Sequence, residues 1–164
     1  MGLFRRLFGN GTPDGFTGTL EPDETVIAHT AVRGGEHLVV TTLGLWVPGP
    51  RRIGWHLISK VKWEGSLRVV EAVEASTEGP VVLLEDLPAQ RFTVDDPQRV
   101  LRAISQRVEC SIRQRERVES PGVWILQRKI PGRDGVVWQA RGDAGVDLEA
   151  VRAAVVPFVA RLAG

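Results

Sequence analysis

Cysteine occurs once in the 164 residues, at Cys110. A single thiol excludes an intramolecular disulfide and a cysteine zinc cluster. Excess charge is also missing, since the formal net charge is +1. No global field therefore draws the chain to nucleic acid or to a membrane surface. No apolar run approaches the roughly 20 residues of a transmembrane helix. The apolar start of the chain is too short for a secretory signal, and Arg5 and Arg6 break it. P-loops, nucleophile elbows and dinucleotide fingerprints are absent. The three histidines, His29, His37 and His56, stand at no metal-ligand spacing to one another, to Cys110 or to a close carboxylate pair. These absences predict no catalytic residue, no metal site and no cofactor. They point to a non-enzymatic, cytoplasmic protein. Arginine far outnumbers lysine, a bias of GC-rich bacterial genomes.

What the chain does have is a run of short apolar segments cut by turn signals. Residues 36–63 set the plan. Val, Ile, Leu and Trp fill three segments there, with breaks at Thr42-Leu43-Gly44 and Pro48-Gly49-Pro50. Such segments suit a pleated, half-buried surface and read as consecutive antiparallel strands. The pattern predicts strands at 25–32, 36–41, 45–47, 51–55, 67–73, 81–85 and 90–94, with Ile58, Val61 and Trp63 running between the fourth and fifth. Seven closely spaced strands suggest an antiparallel barrel or sandwich. The period then changes. Asp95-Asp96-Pro97 is a helix start, and Val100, Leu101, Ile104 and Val108 share one helical face. Beyond it, 112–118 alternates with many charges, as an edge strand does. A hairpin over 122–141 follows, with Trp124 and Trp138 as a candidate cross-strand pair. Asp147 opens a last helix, in which Pro157 predicts a kink or an early end. The fold class expected is α+β. Residues 1–19 form a leader and linker, 20–110 a barrel with its capping helix, and 111–164 a hairpin plus helix.

The strand-to-helix order is that of the pleckstrin-homology architecture. LVVTTLGLWV over 38–47, followed by RRIGWHLISKV over 51–61, resembles the bacterial pleckstrin-homology-like pattern. Glu21-Pro22-Asp23-Glu24 before the first strand is similar to the lead-in of that family. The resemblance covers residues 20–110; Leu43-Gly44 replaces the bulky polar residue usual in its hairpin turn. Domains of this fold often hold phosphoinositides with basic residues around the first loop and neighbouring strands. The resemblance therefore nominates Arg33, Arg51 and Arg52, with His37 nearby, as ligand-binding residues. The dense Lys/Arg signature of a strong phosphoinositide site is absent.

Two function classes stay open at this level. One is a binding module for a protein partner or for a second copy of itself. The other is peripheral membrane association. Leu3, Phe4, Leu7 and Phe8 fall at helical spacing around Arg5 and Arg6, a short amphipathic pattern suited to an anionic lipid surface. The plainer reading makes these residues a leader that docks on the body. Nucleic-acid binding by the arginines of 99–117 is disfavoured, because Glu109, Glu116 and Glu119 are interleaved with them. Cys110 reads as a buried inert thiol, and each of the five tryptophans as core.

Overall fold

The computed structural model describes residues 11–164. The amphipathic pattern of Leu3, Phe4, Arg5, Arg6, Leu7 and Phe8 lies outside them. The architecture is α+β: a curled mixed sheet forming a half-barrel, a second, four-stranded sheet, and two helices.

The four-stranded sheet contains β1 (Val26–Val32), β2 (Glu36–Thr41), β3 (Gly44–Val47) and β4 (Arg51–Gly54), antiparallel and in chain order. Alternation decides its faces. Leu38, Val40, Leu45, Val47 and Ile53 point into the main core. Trp46 points outward and is still buried, because Phe16 packs edge-on against it at 5.4 Å. After β4 the chain makes a single 3-10 turn, Trp55–Leu57, where strand alone was expected. Trp55 drops into the core there, and its indole N–H donates to the Thr41 carbonyl at 3.0 Å.

The mixed sheet runs β5 (Ile58–Trp63), β6 (Leu67–Glu78), β7 (Val81–Asp86), β11 (Val136–Gly142), β10 (Val123–Lys129) and β9 (Ile112–Val118). The short β8 (Gln90–Phe92) pairs with the start of β6. β11 lies parallel to β7, with Ala140 opposite Leu83. The expectation of a wholly antiparallel sheet is thereby corrected. A hairpin that follows a helix can dock on an earlier strand in either direction, and turn signals report only neighbours in sequence. A bridge between Val32 and Val94 ties the two sheets together on one side.

Helix α1 (Pro97–Ser111) follows Pro97 at its first turn and buries Val100, Ala103 and Ile104 against the main core. Cys110 is exposed, correcting the expectation of a buried thiol. At about 100° per residue it sits two steps past Val108, on the far side of the helix. Helix α2 (Leu148–Ala163) starts at Asp147, whose carboxylate accepts from the Ala150 N–H at 2.8 Å. Val151, Val155 and Phe158 bury against Val81, Leu83, Val123, Ile125 and Ala140, forming a second core. Gly79, at φ +55°, makes the β6–β7 turn, and a Cβ there would stand 2.7 Å from Val159. Pro157 does not end the helix early. It lies on the exposed side, where water can satisfy the Ala153 carbonyl that loses its donor. No helix among the described residues is long and apolar enough to cross a membrane.

Trp124 and Trp138 do not pair. Trp124 lies opposite Arg141, and Trp138 opposite Gln127. The two differ by an odd step in register, so they point to opposite faces. Trp138 packs on Phe158 at 4.8 Å under α2, while Trp124 lies against Arg117 at 5.0 Å. Trp63 is 41% exposed and is not core.

Beside the β11–β7 ladder, one buried side chain ties the C-terminal hairpin to the first core. Arg128, 3% exposed, reaches from β10 to the 3-10 turn and the end of α1. Its Nη2 donates to the Trp55 carbonyl at 2.5 Å and to Ser111 Oγ at 2.8 Å. Its Nη1 donates to the carbonyls of His56 at 3.3 Å and Ile58 at 3.4 Å. Its Nε donates to Ser111 Oγ at 3.0 Å. The guanidinium has five donors, and all are engaged. Lysine has three donors and no planar fork. We therefore expect Arg128→Lys to leave buried carbonyls unmatched and to lower unfolding stability by on the order of 3 kcal/mol. Urea denaturation measures this, and a loss below about 0.5 kcal/mol would contradict the role given to Arg128.

Candidate functional site

The two faces of the mixed sheet have different fates. Residues 123, 125, 138 and 140 face α2 and are packed. Residues 124, 126 and 128 of β10, with 139 and 141 of β11, face the other way. There they meet the end of α1 and the start of β5 across a cleft of about 220 Å³. Ala72, Leu84, Ile58, Val108, Leu126 and Trp124 supply apolar walls. Arg115, Arg128 and Arg141 bring three positive charges to the lining, against one carboxylate, Glu109.

The polar groups of the cleft are unevenly matched. Gln139 is 1% exposed, and its Nε2 donates to the His56 carbonyl at 2.9 Å. Its Oε1 has no protein partner. Neither has Nδ1 of His56. The His56 ring lies over Gly54, where a Cβ would come within 2.7 Å of Cε1. Buried polar atoms are normally hydrogen-bonded, so two unpartnered ones on residues that line one cleft single the place out. Among the described residues Arg141 makes no short ion pair: Asp86 lies at 3.8 Å, and Asp143 acts on it through the field alone. Arg115 pairs with Glu109 at the rim. Burial, then the positive charges of Arg128 and Arg133, push the His56 imidazole down to about 4. Burial, then Arg141 and Arg115, pull Arg128 down to about 10, so it is charged at neutral pH.

The residues nominated from sequence sit elsewhere. The sheet order puts β1 and β4 at opposite edges, so Arg33, in the β1–β2 turn, is separated from Arg51 and Arg52. Arg33 is exposed, and His37 is half-buried with its Nδ1 unpartnered. Arg51 grips Glu71 with two bonds, at 2.9 and 2.8 Å. Arg52 donates to Glu24 at 2.7 Å and lies over the Trp46 ring at 5.6 Å. The Glu24 side chain is fully buried. Burial alone would raise its pKa. The Thr41 hydroxyl, the Glu21 N–H, the Trp46 indole and Arg52 outweigh that and hold it below the usual carboxylate value. Arg51 and Arg52 are thus engaged in holding β4 to its surroundings. Among the described residues no group of histidine, cysteine and carboxylates is arranged to hold a metal ion.

Two tests follow from these charges. In the unfolded chain a histidine titrates near its ordinary 6.5, while His56 in the fold titrates at about 4. The unfolded state binds more protons between those values, so stability is complete above pH 6.5 and falls as the pH drops toward 4. His29 is lowered too, by burial, His37 and Arg99, and contributes to the same slope. His56→Gln should flatten this limb in urea titrations at stepped pH; an unchanged slope would contradict the burial of a neutral imidazole. Glu24 runs at lower pH, its contribution being lost as the pH falls through its lowered pKa. Arg52→Ala should cost about 2 kcal/mol at pH 7 and move that loss to higher pH, which the same titrations read.

Compared with family models, with curated proteins and with solved structures, the chain finds no match in any of the three.

Proposed function

We propose that this protein is a non-enzymatic binding module that receives its ligand in the cleft between α1 and the mixed sheet. The observation that carries the reading is the unpartnered, buried Oε1 of Gln139 in a cleft whose apolar walls also carry three arginines. Ligand sites are concave and mostly apolar, with few converging polar groups. The cleft is concave, with apolar walls and a few polar groups, and at about 220 Å³ it is smaller than a drug-sized site. Residues 20–110 are proposed as a pleckstrin-homology-like unit, supported by strands that lead into a helix packed on them. Its usual basic-loop site is not the one favoured, because Arg51 and Arg52 are already paired with Glu71 and Glu24. A protein partner is accommodated if it presents a short segment or terminus to the same cleft.

The test is a set of small neutral, cationic and anionic fragments and short peptides, followed by side-chain NMR signals. Binders should shift the Gln139 amide and the Trp124 indole, with Trp63 on β5 as the reference. Shifts scattered over the surface, with none at Gln139 or Trp124, would overturn the reading.

A further inference from the structure

The cleft also says what kind of molecule fits it. The orientation of the Gln139 amide is set, because its Nε2 donates to the His56 carbonyl at 2.9 Å. Its Oε1 is therefore an acceptor that wants a donor. Arg128 contributes field only, since its five donors are spent on Trp55, His56, Ile58 and Ser111. Arg141 is different. It is 20% exposed, and its Asp86 contact at 3.8 Å is too long to be a hydrogen bond. Asp86 in addition accepts from the Ser59 hydroxyl. The Arg141 fork is thus open to a carboxylate, which it can hold through two parallel bonds. Trp124 offers an aromatic wall, backed on its outer side by Arg117. A volume of about 220 Å³ is below that of drug-sized sites, so the occupant is compact.

We propose that the cleft binds a compact, partly apolar carboxylic acid that also carries a hydrogen-bond donor. The carboxylate meets Arg141, the donor meets Gln139 Oε1, and the apolar body lies along Trp124 and Leu84. This rests on the binding-module reading and narrows it. A free acid and the C-terminus of a peptide share this chemistry, since each pairs a carboxylate with a nearby O–H or N–H.

The experiment uses the full chain and three probes of nearly equal size. These are 4-hydroxybenzoate, benzoate without the donor, and 4-hydroxybenzyl alcohol without the charge. The first is expected to shift the Gln139 and Trp124 signals. Benzoate should bind at least fivefold more weakly, and the alcohol at least tenfold. Arg141→Gln should weaken 4-hydroxybenzoate at least tenfold. If that variant does not fold, the three-probe comparison on the unaltered chain decides alone. Acetyl-Gly-Gly-Phe, titrated alongside, separates the sources: tighter binding than the free acid assigns a peptide terminus, weaker binding a small molecule. Equal affinity for the three probes would overturn the proposal, as would preference for the alcohol. Neutral or cationic fragments seated at Gln139 when no acid is would overturn this inference and leave the binding module standing. No occupant of any class would remove both.

Discussion

A buried arginine without a carboxylate holds this molecule together. Arg128 carries a full charge into the interior and spends every donor on backbone carbonyls and one hydroxyl. Isolating a charge in this way is costly unless its hydrogen bonds are complete. Two features offset that cost. Two of the three carbonyls, those of Trp55 and His56, come from the 3-10 turn, and the third from Ile58 at the start of β5. Ser111 stands at the end of α1, where its hydroxyl donates to the Val108 carbonyl and where the helix carries partial negative charge. The hairpin, the 3-10 turn and the helix end are thereby fixed by one side chain.

Glu24 is the complementary solution. It too is buried, but it meets a cation, Arg52, and three further donors. The two hubs divide the work. Glu24 fastens the start of the chain to the outer face of the four-stranded sheet. Arg128 fastens the hairpin to the inner edge of the first core. The cleft is a by-product of the second arrangement. Arg128 and Gln139 both draw the hairpin toward the His56 turn, and Arg141 and Trp124 line the rest of the cleft.

Most of the elements were legible in the chain, because their signals are local. Pro97 and the Val100–Ile104 spacing mark α1, and the polar break between 130 and 136 marks the hairpin. The parallel docking of β11 on β7 was not legible, since more than one partner strand fits an alternating pattern. The cleft was legible only in part. Strand parity places Trp124, Leu126 and Arg128 on one face, and Gln139 and Arg141 beside them. Arginine in a hairpin ordinarily reads as solvated surface, and nothing local reveals that Arg128 turns inward. The basic residues that do draw the eye, Arg51 and Arg52, are absorbed by Glu71 and Glu24, partners 20 and 28 residues away.

The parallel pairing of β7 with β11 has a consequence for synthesis. β7 finds β6 at once, through the Gly79 turn. Its other edge waits for residues 138–141, which leave the ribosome after α1, β9 and β10. Val81 and Leu83 stay uncovered over the same interval, since α2 comes later still. Unpaired edges beside apolar side chains are templates for intermolecular pairing. The nascent chain therefore passes through a period in which its first half is built but sticky. Chaperone demand should peak there, before the hairpin emerges.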